Sequence, residues 1–311
     1  MANCLIITAL AEEFADEIQR LSDTPIPAKA CTSSTQALEA YTDETVIFGN
    51  PDMIVPVLDR MPSIEWIQSS WAGVTPFLNH PRRDYVLTGV KDVFGPQMAE
   101  YVLAYLLAHE LKILERKQQQ RKRRWFKSLS GTLAGKRLGI MGTGSIGQHI
   151  AMTAKTFGVQ TIGLSRSGAG TPGFDTVFPV EALATFLEQV DYLVSTLPQT
   201  RETDNLLDAQ ALAKLPSHAY FINVGRGNVV VDEALLAALR NGSLAGAALD
   251  VFDTEPVPPD SALWDAPNLS ITAHIAAVSY PLLIVPIFVA NYRRYINREP
   301  LQYVIDFDAG Y

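Results

Sequence analysis

Cysteine is scarce. Cys4 and Cys31 are the chain's two thiols. A disulfide framework or a zinc site needs more partners at tighter spacing, so no metal centre is expected, and both thiols are read as reduced. Cys4 lies in an apolar, strand-like run, where free thiols are commonly buried. A basic surplus is missing too. The formal net charge is -8, which argues against a nucleic-acid partner, although one site can still be locally positive. Long apolar runs are absent as well. The stretch from Pro281 to Ala290 is too short to cross a bilayer and contains two prolines. The N-terminal MANCLIITALAEEF has no basic flank, so no signal peptide is expected. These absences point to a soluble, cytoplasmic protein without a membrane partner. What the chain does have is apolar content. Hydrophobic residues make up 48% against 19% charged, which excludes disorder. Its 311 residues suggest two domains.

Short apolar runs alternate with helical spacing through the first hundred residues. Strands are predicted at Asn3 to Ala9, Thr45 to Phe48, Ile64 to Gln68 and Tyr85 to Thr88. Phe14, Ile18 and Leu21 share one helical face between Glu12 and Leu21, and Ile54, Val57, Leu58 and Met61 share another. From Gly95 to Arg124 the three-to-four spacing of Met98, Val102, Tyr105, Leu106, His109 and Ile113 predicts one long helix. Its end is basic, with Arg116, Lys117, Arg121, Lys122, Arg123 and Arg124. That run suits a solvated helix end, whose dipole favours cations, or an arm packed on a partner subunit. A second alternating series follows. Its strands are predicted at Arg137 to Met141, Gln160 to Leu164, Tyr192 to Ser195, Ala219 to Asn223, Ala247 to Val251 and Leu269 to Thr272. Helices are predicted at Ile146 to Phe157 and Asp232 to Asn241. The pattern is that of a doubly wound α/β sheet. A last helical segment, Ser279 to Arg298, has no sheet position left and is free to pack back on the first domain.

KRLGIMGTGSIGQHIA places G-x-G-x-x-G between a predicted strand and a predicted helix. Gly142 permits a tight turn, Gly144 a close backbone approach to a pyrophosphate, and Gly147 close packing of helix on strand. Thr143, Ser145 and Ile146 complete the turn, and the helix start offers unpaired N–H groups to phosphate. The motif is weak alone; its place between strand and helix makes it specific. The next strand ends in GLSRSG. Ser165 stands where an NAD site places an acid for the ribose 2′-hydroxyl. With no carboxylate there, Arg166 can pair with a 2′-phosphate and Ser165 and Ser167 can donate to it. NADPH is therefore expected over NADH, with NAD still possible.

The downstream half contains INVGRGNVVVDEALLAALRNGSLAGAALDVFDTEP and, later, ITAHIAA. With these segments the chain resembles the D-isomer-specific 2-hydroxyacid dehydrogenase family, near its glyoxylate/hydroxypyruvate reductase branch. The resemblance is dense from Gly135 to Ala277 and looser before it. It extends to REPL at Arg298 to Leu301, to VIDF and to the terminal Gly310-Tyr311. It implies Arg226 as the catalytic arginine, Glu255 as the acid and His274 as the acid/base. The residue types suit the chemistry. A guanidinium fork can bridge a carboxylate and the neighbouring carbonyl of a 2-oxo acid. An imidazolium can protonate the alkoxide that hydride transfer forms. A carboxylate beside the imidazole orients it and favours its charged form.

The resemblance also implies that Thr196, Leu197 and Pro198 line the adenosine side. It puts the Val224 and Gly225 backbone near the nicotinamide and has Asp250 bond the carboxamide, the lesser alternative being that Asp250 simply caps a strand end. SSWAGVTPFL resembles the loop whose amides hold the substrate carboxylate, which implicates Trp71, Ala72, Gly73 and Val74. Here the sequence departs from the branch. Trp71 replaces a small residue, and Thr75 stands where an Asp often follows. Trp71 either lines the pocket and limits substrate size or is a core aromatic facing away. Glu100 matches a recurrent acid read as structural.

The expected architecture is two Rossmann-like domains with parallel sheets. A flavodoxin-like substrate domain comprises residues 1–99 plus 281–311, and a dinucleotide-binding domain comprises 100–280. The cleft between them is expected to close on a small 2-oxo acid such as glyoxylate or hydroxypyruvate. A homodimer through the cofactor domain is expected, with Arg121 to Trp125 in the contact. The alternatives are an NAD-dependent phosphoglycerate-dehydrogenase-like enzyme and a non-catalytic dinucleotide-sensing regulator. The first would want an acid at Ser165. The second is disfavoured by the intact Arg226, Glu255 and His274.

Overall fold

A computed structural model of the chain describes residues 3–308. They divide into two compact units. One holds the described residues through Val93 together with those from Ser279 onward, and the other runs from Phe94 to Val278. The crossings thus fall at 93/94 and 278/279, not at the 99/100 and 280/281 read from sequence. The first shifts because Gly95 already belongs to the helix Gly95–Glu110, which packs along the helix Ser145–Lys155 of its own unit. A Cβ at Gly95 would stand 2.7 Å from the His149 ring. The second shifts because the Val278 N–H donates to Gln97 Oε1 at 2.9 Å, whereas the Ser279 hydroxyl donates to the Ser70 carbonyl of the first unit at 2.7 Å. The Gly310-Tyr311 ending lies outside the described residues.

The first unit is built on β1 (Cys4–Ile7), β2 (Ala28–Cys31), β3 (Val46–Gly49), β4 (Trp66–Ser69) and β5 (Val86–Thr88). All pair in parallel, in the order β2-β1-β3-β4-β5. β1, β3 and β4 are buried at every position, as a sheet covered on both faces requires. The helix Ala11–Leu21 buries Phe14 and Ile18. The C-terminal helix, Pro281–Ile296, does return to this unit. Phe288 stacks on Phe48 with ring centroids 4.4 Å apart and on Trp66 at 5.5 Å, while Phe14 meets Phe48 edge-on at 5.2 Å. Burying Phe288 stabilises this docking by roughly 2–3 kcal/mol. Cys4 and Cys31 are free and buried.

The second unit has β6 (Arg137–Met141), β7 (Gln160–Ser165), β8 (Thr176–Pro179), β9 (Tyr192–Ser195), β10 (Tyr220–Asn223), β11 (Gly246–Leu249) and β12 (Leu269–Ile271). The sheet order is β12-β11-β10-β9-β6-β7-β8, all parallel. Along β10, Tyr220 and Ile222 enter one apolar cluster and Phe221 the other, so both faces are covered. The chain runs outward from β6 through β7 and β8, then returns to β9 on the other side. That reversal beside β6 opens a crevice at the carboxyl ends of β6 and β9, where ligands of such sheets bind.

Two predicted helices depart from the sequence expectation. The long helix is broken. The segment Gly95–Glu110 ends near Leu111, Lys112 takes φ 52, and a separate helix runs from Ile113 to Arg121. The first piece buries Ala99, Val102, Leu103 and Leu106; the second buries nothing. Without an apolar face, nothing holds the basic segment in line with the first. The helical face of Ile54 to Met61 is likewise split, into Pro51–Ile54 and a 3-10 turn over Val55–Arg60, since Pro56 cannot supply a helix N–H. The edge strands β2 and β8 are half-exposed and lack the apolar signature that marks the inner strands.

Candidate active site

The glycine turn follows β6. Gly142 has φ 100, a conformation open to glycine, and a Cβ there would lie 2.6 Å from Thr196 Oγ1. A Cβ at Gly147 would stand 2.0 Å from the Gly142 carbonyl oxygen, so the helix Ser145–Lys155 reaches the strand only with glycine at that point. Gly144 differs. It caps the helix with ordinary extended backbone, makes no side-chain cap bond, and has no atom within 4 Å of where a Cβ would be. The turn is braced from outside. Gln148 Nε2 donates to the Thr143 carbonyl at 3.0 Å, and the Thr196 hydroxyl donates to the carbonyls of Met141 and Gly142 at 3.1 and 3.2 Å. The start of this helix, at Ser145 and Ile146, has no side-chain cap, and such a helix start fits a pyrophosphate.

At the end of β7, the Gly168 N–H donates to the Ser165 hydroxyl at 3.1 Å and closes a turn that leaves Arg166 and Ser167 exposed. One neighbour escaped the sequence reading. The Glu202 carboxyl is held below its ordinary range by its own N–H and the Thr200 hydroxyl, with the charges of Arg166 and Arg201 adding to the effect. Arg166 therefore shares its surroundings with a second guanidinium and a carboxylate, both from the loop after β9. Within that loop, Leu197 is half-buried and Pro198 exposed.

The three candidate catalytic residues leave the carboxyl ends of adjacent strands: Arg226 after β10, Glu255 after β11 and His274 after β12. His274 Nδ1 lies 2.9 Å from Glu255 Oε2, and the other Glu255 oxygen accepts the Phe252 N–H at 2.9 Å. Both side chains remain partly open, with 50% of His274 and 36% of Glu255 exposed. Burial lowers the Arg226 pKa from its ordinary value, and the charge of Glu255 pulls against that shift. Arg226 Nη1 donates to the Gly225 carbonyl at 2.6 Å. The turn itself rests on the Glu255 loop, since a Cβ at Gly227 would lie 1.8 Å from the Phe252 carbonyl carbon. Val224 and Gly225 are buried beside it.

Asp250 is 1% exposed and heavily engaged. Oδ1 accepts the Thr272 hydroxyl at 2.5 Å and the Ile275 N–H at 2.9 Å, Oδ2 accepts the Ala276 N–H at 2.8 Å, and the Asp250 carbonyl accepts the His274 N–H at 2.8 Å. Tyr101 Oη lies 2.7 Å from the Thr272 hydroxyl. Asp250, expected beside the carboxamide, thus binds the segment that carries His274 at φ 56. Spacing along the chain gave no sign of this, because the partners are tertiary.

The loop expected to take a substrate carboxylate belongs to the first unit. Trp71 is half-buried and outside the apolar cluster that Val74 joins, so it is no core aromatic; Ala72 is exposed and Gly73 half-buried. The Trp71 N–H donates to the Ser69 hydroxyl at 3.0 Å, and the Ser70 hydroxyl donates to Asn50 Oδ1 at 2.7 Å. Glu100 is exposed on the helix Gly95–Glu110. Among the described residues, no group of His, Cys, Asp or Glu side chains is arranged to hold a metal ion, and no helix is long and apolar enough to cross a membrane.

Comparison with known proteins shows the family. The family model for the NAD-binding domain of D-isomer specific 2-hydroxyacid dehydrogenases matches residues 103–276. Among solved structures, a D-isomer specific 2-hydroxyacid dehydrogenase family protein from Aeromonas salmonicida is 39% identical, with 99% of this chain and 100% of that one covered and a TM-score of 0.95. An NADPH-dependent glyoxylate/hydroxypyruvate reductase from Sinorhizobium meliloti, solved with NADP and sulfate, is 28% identical over 99% and 100% of the two chains, with a TM-score of 0.85. A D-isomer specific 2-hydroxyacid dehydrogenase from Xanthobacter autotrophicus, solved with NADPH and MES, is 28% identical over 100% of both, with a TM-score of 0.84.

Proposed function

The chain belongs to the D-isomer specific 2-hydroxyacid dehydrogenase family, and from that premise we propose that it reduces small 2-oxo acids, glyoxylate or hydroxypyruvate among them, to D-2-hydroxy acids with NADPH in preference to NADH. The observation that carries this reading is the 2.9 Å pairing of His274 with Glu255 on loops that neighbour the Arg226 turn.

NADPH, when bound, supplies the hydride. The glycine turn and the uncapped start of the helix Ser145–Lys155 take its pyrophosphate, and Arg166 with Ser165 and Ser167 takes the 2′-phosphate. Arg226 binds the substrate carboxylate and polarises the adjacent carbonyl with its planar fork. With Nδ1 turned to Glu255, His274 holds its transferable proton on Nε2 and delivers it to the carbonyl oxygen as negative charge develops there. Glu255 fixes the orientation of the ring. By the family resemblance, the backbone amides of Ala72, Gly73 and Val74 are assigned to binding a substrate carboxylate, and Trp71 to limiting the length of the acid. The preference for NADPH is supported by Ser165 at the usual acid position and by the two relatives solved with NADP or NADPH.

The test is NADPH and NADH oxidation with glyoxylate, hydroxypyruvate and longer 2-oxo acids. Turnover of the short acids with an NADPH preference is expected. No turnover with any acid, alongside tight NADPH binding, would replace the reading with a dinucleotide-sensing regulator.

The proposal places the protein in the cytoplasm as a homodimer formed through the second unit. The arm after Leu111 supports this, since Leu114 is 62%, Trp125 90% and Leu129 88% exposed, a concentration of apolar surface that marks contact sites. Sedimentation of the wild type and of Trp125→Ser checks it; a monomeric wild type would refute it.

A further inference from the structure

Asn223 ends β10, an otherwise apolar strand, and is wholly buried. A buried amide has to find hydrogen-bond partners. This one finds them in the turn that carries Arg226. Its Oδ1 accepts the Gly225 N–H at 3.1 Å, and its Nδ2 donates to the Arg226 carbonyl at 2.9 Å. We infer that Asn223 is a positioning residue for Arg226: its amide clasps the turn on either side and sets the direction in which the guanidinium leaves the sheet.

The clasp is anchored below and confined at both ends. The Asn223 carbonyl accepts the Asp250 N–H at 3.0 Å, and the Val224 N–H donates to the Ser195 carbonyl at 3.1 Å. A Cβ at Gly225 would stand 2.6 Å from the Leu197 carbonyl oxygen, and Gly227 presses on the backbone of Phe252 and Asp253. Arg226 lies between these two tight contacts, and its Nη1 folds back on the Gly225 carbonyl. One side chain therefore holds the turn on both sides of the Gly225–Arg226 peptide, at the Gly225 N–H and at the Arg226 carbonyl, and the Gly225 carbonyl between them accepts the guanidinium. A fork that must meet a carboxylate and a carbonyl at once is sensitive to placement, since a shift of about 1 Å can cost about a hundredfold in rate.

This inference rests on the role assigned to Arg226 above, and the experiment separates the two. Asn223→Leu keeps the branch at the γ carbon, in a somewhat larger side chain, and removes both bonds. It is expected to lower kcat by about 10- to 100-fold while NADPH affinity stays within about threefold. Asn223→Ser, whose hydroxyl can still accept the Gly225 N–H more weakly, should recover part of the loss. In an Arg226→Lys background, where a point charge replaces the fork, Asn223→Leu should cost less than about threefold more. An undiminished cost in that background, wild-type kinetics of Asn223→Leu, or a parallel fall in NADPH affinity would overturn the inference. Should the leucine variant not fold, the serine variant carries the same cycle. Wild-type turnover by Arg226→Ala would instead sink the assignment of Arg226 itself.

Discussion

Glu255 divides its two oxygens between the ring nitrogen of His274 and the backbone N–H of Phe252, each at 2.9 Å. The carboxylate is thus held by its own loop while it holds the imidazole, and Nε2 is left as the free ring atom. His274→Asn should abolish turnover and leave NADPH affinity within a few-fold. Asparagine is chosen because His274 has φ 56, which asparagine tolerates. Glu255→Gln should lower kcat by about 10- to 1000-fold, since the hydrogen bond can survive but the charge cannot. Steady-state kinetics with a binding titration check both, and a fall in cofactor affinity matching the loss of kcat would refute the assigned roles.

Arg166 is the exposed cation at the end of β7 and shares its field with Arg201 and Glu202. Arg166→Glu should shift the ratio of kcat/KM for NADPH over NADH by about 10- to 100-fold toward NADH, the scale of one or two charge-assisted bonds. An unchanged ratio would mean that the guanidinium contributes nothing at the 2′ position.

Gly144 and Gly147 are predicted to fail in opposite ways. At Gly147 a methyl group would collide with the Gly142 carbonyl oxygen, so Gly147→Ala should destabilise the fold by about 1–3 kcal/mol or more. At Gly144 the space is open and the backbone ordinary. Gly144→Ala should therefore keep the wild-type melting temperature while binding NADPH more weakly. Thermal melts with and without NADPH distinguish them, and equal loss of stability in both would contradict the geometry.

Asp175 gives a pH signature. Lys155 at 2.6 Å and the Thr161 N–H at 2.8 Å hold its carboxyl below the ordinary value of 3.8. A depressed folded value contributes stability above 3.8 and loses it as pH falls through the lower, folded value. Asp175→Asn should cost about 1 kcal/mol near neutral pH, discounted because the side chain is half-exposed. The gap to wild type should narrow by about pH 3. Urea midpoints at the two pH values test this; a constant gap would show that the carboxylate charge is not involved.

The inner strands could be read from sequence because each is buried on both faces. Arg137–Met141 and Tyr192–Ser195 fall where their apolar runs end. The edge strands β2 and β8 could not, since Lys29 interrupts the first and the second has only Val177 and Phe178 between Thr176 and Pro179. Tyr105 and Ile113 continue the spacing of the long helix, but spacing does not record that Ile113 is 48% exposed, and the helix breaks where its buried face stops. The glycine turn was legible because each glycine answers a local steric need. Asn223 and Asp250 were not, because a polar residue at a strand end looks the same whether it caps the strand or binds a distant turn.

The order of residues by itself determined that two parallel α/β units would form, that a phosphate turn would sit between β6 and its helix, and that no acid would stand at Ser165. These follow from periodicity, glycine sterics and charge, all local properties. Only the tertiary structure decided that Glu255 would meet His274, that Asp250 would serve the histidine segment, and that Asn223 would clasp the arginine turn. Each of these contacts depends on which strands lie side by side, and adjacency in a doubly wound sheet is set by packing of the whole core.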